Sequence, residues 1–478
     1  MRDYNPREVT LRNIRRLIWL YFWLLLVEGA LRKWVVPQLS NPLLIVRDPV
    51  VLLVYWLAIR AHVFPRNRFI VALGVISVLA SLVTFVPLWP YIPPLRIALV
   101  TGYGFRSSFL HLPMIFIIGS VMRMEDVKRM GWWTLVITIP MVVLMVGQFQ
   151  SAPDSFLNRT AGGEGEMMQS ALGKVRTAGP FSFVVGVVSY FGLATGFLIW
   201  AALRGKVYPN WLLYGSGAAM VIGVAVSGSR SVVGACVVVG CSLIVILFLR
   251  PRALNRFGQT LLVTLVLGLL VAQTPIFKEG LNVLTTRFNE VAEATETSIG
   301  LGIAERMVEQ FTEGFHTLKE APFLGYGLGV GTNGGARFLT GQSVFLLAEG
   351  EWPRLILESG PLLGIAFIFW RCALTFWIGR LCLSAVRVGQ TLPLLLVSSA
   401  FMPLVIGQFG QPTVMGFVVL TTGLVLAALG EDATASAGVP ALETAAVSRG
   451  RPLPRRSAYA TRLHGPAGDA HKNGSSNR

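Results

Sequence analysis

Long apolar runs separated by short polar breaks dominate this chain. They fall at about 17–36, 43–60, 69–89, 97–122, 131–149, 181–203, 211–227, 231–249, 259–274, 354–379, 391–409 and 412–430. At about 1.5 Å of rise per residue, such helices cross most or all of a hydrocarbon core about 30 Å thick. Strands of a membrane barrel would instead alternate over about ten residues. The pattern predicts an all-α, polytopic integral membrane protein with about twelve transmembrane helices and a large outer loop. The fourth run is the least regular. Gly102, Gly104, Arg106 and Pro113 interrupt it, which predicts a broken or re-entrant helix, tolerated only where it lines a cavity or is buried in protein.

Basic residues set the orientation. Arg2, Arg7, Arg12, Arg15 and Arg16 place the N-terminus in the cytoplasm. With alternating spans, the segments Arg60–Arg68, Arg123–Arg129, Arg204–Lys206, Arg250–Arg256 and Arg380–Arg387 and the tail are cytoplasmic too. Together with the N-terminus they hold about 25 of the 41 Lys and Arg. The organisation that follows is a cytoplasmic N-terminus (1–16), nine membrane helices over 17–274 with an outer loop at about 150–180, a large periplasmic loop (275–353), three more helices (354–430), and a disordered, cytoplasmic, Arg- and Ala-rich tail (431–478). The short cytoplasmic loops leave no room for a nucleotide-binding domain, so chemistry is expected in the membrane or outside it. Within the large loop Ala304–Lys319 reads as a helix, with Met307, Val308, Phe311, Phe315 and Leu318 on one face. It either lies on the bilayer and caps a cavity or packs on the rest of the loop.

Composition agrees. Charged residues are 14% of the chain and mean hydropathy is +0.62, against about 25% charged in a soluble domain. The net charge of +17 would suggest nucleic acid in a soluble protein. Here it follows from the cytoplasmic basic segments, and no nucleic-acid partner is implied. Cys236, Cys241, Cys372 and Cys382 lie in or beside apolar runs, so neither a disulfide nor a cysteine metal site is expected. The first run lacks an early small-residue cleavage site and reads as a retained span.

Candidate chemistry lies on the outer side. Gly329-Val330-Gly331-Thr332-Asn333-Gly334 matches G-x-G-x-x-G in letters, but it follows no strand of a βαβ unit. Gly325-Tyr326-Gly327-Leu328-Gly329 is no P-loop, lacking the following Gly-Lys-Ser/Thr. These glycines suit either a backbone that approaches a ligand or simple turns. No His, Asp or Glu cluster on the outer side has metal-ligand spacing; His316 reads as a surface or packing residue, and no cofactor or metal is expected. Arg176, Arg230 and Arg354 stand at outer ends of spans, and Arg230 sits in a break too short to leave the bilayer surface. Guanidinium forks suit diphosphate oxygens; the competing role for each is snorkelling or pairing with a carboxylate. Glu349, Glu351 and Glu358 accompany them. A partly desolvated carboxylate can serve as a base for a hydroxyl, or can pair with Arg354 or another arginine.

Taken in order, these segments resemble the bacterial O-antigen ligase and polysaccharide polymerase family over roughly residues 100–425. Arg176-Thr177-Ala178-Gly179-Pro180-Phe181 is similar to that family's Arg-x-x-Gly-x-Phe. Ser227-Gly228-Ser229-Arg230-Ser231 resembles its Ser-Arg break, Pro322–Gly329 its Pro-x-x-Gly-x-Gly segment, and Trp352–Gly364 the helix that closes its outer loop. The resemblance implies polymerisation or ligation of undecaprenyl-diphosphate-linked glycan at the periplasmic face of a bacterial inner membrane, with a glycan or lipid acceptor and without nucleotide or obligatory metal. It implies that Arg176 and Arg230 bind diphosphate, with Arg354 and, more weakly, Arg106 beside them. Arg230 and either Glu349 or Glu351 would be catalytic. Where the family's ligases carry His-Asn, this chain has Glu349-Gly350, which favours a polymerase-like protein for exopolysaccharide or another surface glycan. Membrane lipids and polysaccharide export or chain-length proteins are the further partners implied. A lipid-linked glycan transporter or flippase, or a non-catalytic membrane subunit of a polysaccharide assembly, is the alternative. Against transport stand the lack of an evident internal repeat and the size of the 275–353 loop.

Overall fold

A computed structural model describes residues 6–162, 167, 169–250, 269–295, 311–341 and 346–430. Among them the architecture is all-helical, with a lone antiparallel bridge between Gln169 and Val175 and no strand. The helices are α1 (Pro6–Ala30), α2 (Asp48–Arg60), α3 (Arg68–Val83), α4 (Pro94–Phe105), α5 (Met114–Val121), α6 (Met124–Gln150), α7 (Val184–Arg204), α8 (Asn210–Val226), α9 (Arg230–Leu249), α10 (Pro275–Thr295), α11 (Asn333–Thr340), α12 (Glu351–Val388), α13 (Leu392–Ile406) and α14 (Pro412–Gly430). Eight helical stretches are long and apolar enough to cross a membrane, and α8 and α13 are shorter apolar helices. The chain is a multi-pass membrane protein. The run expected at 259–274 lies mostly outside the described residues, as do the tail and residues 304–310 of the loop helix; 311–320 are helical.

Burial sorts the helices. α14 is apolar on every face, and 89% of its apolar window lies inside the protein, against 22% for α9. A helix that is apolar all round belongs in the centre or against lipid, and these two take the two alternatives. α14 packs most extensively on α5 and α13. Gly119 and Gly423 permit the close α5–α14 approach, since a methyl group on Gly423 would lie 2.6 Å from Ile118 Cβ. The irregular fourth run is broken as its sequence predicts. A wide helical turn at Arg106–Leu110 and a further turn through Pro113 separate α4 from α5, and Ser107, Ser108 and His111 are buried there.

α12 differs from the simple span expected at 354–379. Gly360, at φ +76° and ψ 166°, breaks it, and Pro361 follows. A straight helix would separate residues 351 and 371 by about 30 Å. Instead Glu351 Oε1 lies 2.8 Å from Arg371 Nη1, and a methyl group on Gly364 would lie 2.8 Å from Ile356 Cα. The first nine residues therefore fold back along the rest as the short arm of a helical hairpin. Its tip is fixed by the glycine-rich loop: Tyr326 N donates to Leu357 O at 2.7 Å and Gly327 N to Glu358 O at 2.9 Å.

Candidate functional site

The seven residues singled out from the sequence fall into three polar groups. The first joins the loop before α7, the break between α8 and α9, and α10. The loop turns at Gly179, whose φ of +55° favours glycine. Gln148 clamps this turn at both backbone groups, accepting from Gly179 N at 2.8 Å and donating to Gly179 O at 3.2 Å. Lys33 Nζ donates to Gly179 O at 3.1 Å and to Phe181 O at 3.2 Å. Thr177 Oγ1 donates to Val226 O at 3.2 Å, and Ser170 Oγ to Gly228 O at 3.2 Å. The loop carrying Arg176 is thus bonded to the break carrying Arg230. Gly280 lets α10 rest on the end of α8, because a methyl group there would lie 2.8 Å from Ala225 C.

These contacts bring Arg176 and Arg230 to α10. Arg230 Nη1 donates to Arg287 O at 3.2 Å, and Arg287 Nη1 lies 2.9 Å from Glu290 Oε2. The Arg287 Nε is buried and meets no acceptor among the described residues. Burial, reinforced by the Arg287 charge and opposed by Glu290, holds the Arg176 guanidinium below its usual pKa. Among the described residues these three guanidiniums meet one carboxylate, Glu290, and guanidinium forks suit an anion with several oxygens. Arg287 was not anticipated from sequence. It lies on an amphipathic stretch among other polar residues, and no local signal separates it from them.

The second group lies at the foot of the α12 hairpin. Glu351 accepts from Arg354 Nε at 3.1 Å and Nη2 at 3.0 Å, from Arg371 Nη1 at 2.8 Å, and from Phe409 N at 3.2 Å. Arg354 Nη1 also donates to Glu358 at 2.7 Å, while Glu358 accepts from Gly331 N at 2.9 Å. Two arginines and two glutamates, all buried, make a neutral set with satisfied partners, which is the condition for holding charge inside a protein. Arg371 also donates to Leu404 O at 2.8 Å and Gly407 O at 2.8 Å, tying the end of α13 to the hairpin. It was missed from sequence, although an arginine inside an apolar run is itself the signal.

A small, open pocket lies beside this group. Gly331, Thr332 and Asn333 form one wall; Gln408, Gly410 and Gln411 form another; Glu349, Glu351 and Arg354 close it. Glu349 has no ion pair among the described residues. Of the two glutamates expected to be catalytic, Glu351 is committed to two arginines, and Glu349 lines the pocket without an ion pair among the described residues.

Arg106 forms a third group. It pairs with Asp48 and donates to Leu44 O, while His111 Nε2 lies 2.9 Å from the other Asp48 oxygen and His111 Nδ1 3.0 Å from Tyr21 Oη. Nearby, Arg47 joins Glu28 at 3.1 Å and Pro412 O at 2.7 Å. The sequence thus pointed to a single cluster of arginines, whereas the structure holds Arg176 with Arg230, Glu349 and Glu351 with Arg354, and Arg106 with Asp48. Among the described residues no three His, Cys, Asp or Glu side chains converge as metal ligands.

The family model described as O-antigen ligase matches residues 215–353. That segment runs from α8 through the Arg230 break and the outer loop to the start of the α12 hairpin, so it contains Arg230, Arg287, Glu349 and Glu351. The match supports the O-antigen ligase family indicated by the sequence motifs. No curated protein matches the chain.

Proposed function

We propose, from the O-antigen ligase segment at 215–353 and the cationic group built within and beside it, that this multi-pass membrane protein transfers a glycan from undecaprenyl diphosphate to a hydroxyl at the periplasmic face of the inner membrane. The observation that carries the proposal is the convergence of Arg176, Arg230 and Arg287 from three separate segments tied together by Thr177, Ser170 and Gly280. Both termini are cytoplasmic in this reading.

The acceptor oxygen attacks the anomeric carbon, the bond from that carbon to the diphosphate oxygen breaks, and the electron pair leaves with the diphosphate. Negative charge grows on the leaving oxygen, where fixed guanidiniums stabilise it more in the transition state than in the ground state. The acceptor proton passes to a carboxylate. Glu349 suits that role better than Glu351, which would have to give up hydrogen bonds to Arg354 and Arg371. With Glu349-Gly350 in place of His-Asn, polymerisation of a surface or exopolysaccharide is favoured over ligation to lipid A core.

A deletion strain complemented with wild type or Arg230→Ala tests this on gels resolving lipopolysaccharide and extracellular polymer. Lipid-linked single repeats accumulating without polymer in the variant is the result expected of a polymerase; finished polymer stranded on its carrier would identify a ligase. Normal glycan at normal protein level would refute both.

A further inference from the structure

We propose that Lys33, at the outer end of α1, is a positioning residue for Arg176. Its ammonium holds the turn that brings this guanidinium to Arg230 and α10. The proposal rests on the glycan-transfer reading for the chemistry that Arg176 serves, whereas the positioning itself stands on geometry. Lys33 and the turn both lie outside the matched segment 215–353.

The end of α1 lies on the backbone of that turn. A methyl group on Gly29 would lie 2.5 Å from Pro180 O and 2.6 Å from Ser182 N, so a bare α-carbon is what allows the approach. One helical turn later, Lys33 Nζ donates to Gly179 O at 3.1 Å and to Phe181 O at 3.2 Å, and lies 4.6 Å from the centre of the Trp34 ring. Arg32 Nη1 donates to Ser182 Oγ at 3.0 Å. Gln148 of α6 holds the same Gly179, and the buried Phe181 ring packs on Tyr190 and Phe417. Arg176 stands three residues before Gly179, on the short stretch between this clamp and the bond from Thr177 to Val226 O.

Packing alone does not call for a lysine here. Lys33 is fully buried, and among the described residues no carboxylate lies within ion-pair distance of it, whereas the nearby Arg32 and Arg47 share Glu28. An ammonium buried without a counter-charge is costly. A methionine of similar length would fill the space without that cost. What the ammonium adds is a head with three donors, which ties two carbonyls of one turn to α1 and so fixes where the chain leads Arg176.

The test is a double-mutant cycle on full-length protein in lipid nanodiscs: wild type, Lys33→Met, Arg176→Ala and the double variant, each given lipid-diphosphate-linked oligosaccharide and a saccharide acceptor. We expect Lys33→Met to slow transfer by about tenfold to a hundredfold, the effect of a misplacement of about 1 Å. In the Arg176→Ala background the same change should cost less than about twofold, because the group it positions is already gone. Lys33→Gln, which keeps an amide donor for the turn, should recover part of the rate. Hydrogen exchange should quicken at the amides of 177–181 in Lys33→Met, with the midpoint of thermal unfolding little changed, since relief of the buried charge offsets the lost carbonyl bonds. A wild-type rate in Lys33→Met overturns the proposal. So does the same fold-loss in both backgrounds, which is what a merely structural lysine would give. If Lys33→Met does not fold, Lys33→Gln goes through the same cycle with the same criteria. Wild type that leaves the glycan on its carrier would sink the transfer reading instead; faster exchange confined to the turn would then keep the positioning, and unchanged exchange would remove it too.

Discussion

Replacing Arg371 with methionine removes a cation from a set that balances two arginines against two glutamates. Arg371, Glu351 and Glu358 are all buried, and Arg371 is fully so. The substitution leaves one arginine, Arg354, between two carboxylates, and a net buried negative charge. It also strips the side-chain donor from the carbonyls of Leu404 and Gly407. Removing one partner of a buried pair costs about 3–5 kcal/mol, most of it from the charge left behind. That origin makes a sharper prediction than the size of the loss. Adding Glu351→Gln restores neutrality, so the loss in the double variant should fall short of the sum of the two single losses by about 0.5–3 kcal/mol, the range found for residues in direct contact. Equilibrium unfolding of the four proteins of the cycle, in one detergent and followed by tryptophan fluorescence, measures the coupling. Single-variant losses that simply add in the double variant would refute the claim that the Glu351–Arg371 pair holds the hairpin to α13.

Gly360→Val should lower the yield of monodisperse protein on size-exclusion chromatography, since φ of +76° and contact with Phe323 O leave no room for a branched side chain. Gly228→Ala should destabilise by about 1–2 kcal/mol, the cost of a left-handed residue, and should cut glycan transfer further, because its methyl group meets Ser170, which braces the Arg176 loop; equal wild-type and variant rates at full folding would contradict the bracing. Gln148→Leu removes both amide bonds to Gly179 and should lower kcat in a reconstituted assay, with the fall exceeding any loss of folded fraction.

Much of the fold was legible because it rests on one-dimensional signals. Runs such as 69–89 and 131–149 reappear as α3 with its extension and as α6. The break near Arg106 and Pro113 was announced by residues poorly suited to a helix beside lipid. Gly360-Pro361 was read as part of one span, 354–379, because the fold-back depends on backbone bonds from Tyr326 and Gly327, far away in the chain. The Glu351, Arg354, Glu358 spacing of three and four was a readable helix-face signal. Its fourth member, Arg371, lay concealed in an apolar run. Arg32, Lys33 and Arg47 were likewise absorbed into spans and short loops, although all three are buried. Sequence order brought these arginines to notice; tertiary contacts alone could divide them between a group gathered at α10 and a carboxylate-paired one.

The central claim is that Arg230, with Arg176 and Arg287, drives the departure of a diphosphate. The most direct measurement is the single-turnover rate of purified protein in nanodiscs, supplied with lipid-diphosphate-linked oligosaccharide and a saccharide acceptor, with product followed by mass spectrometry. Wild type should lengthen or cap the acceptor and release lipid diphosphate. Arg230→Ala should be slower by about 10²–10³, the usual cost of removing one donor to a developing charge, and Arg230→Lys should recover part of the rate. Transfer by Arg230→Ala at the wild-type rate would contradict the account, as would wild type that leaves the lipid-linked glycan chemically unchanged.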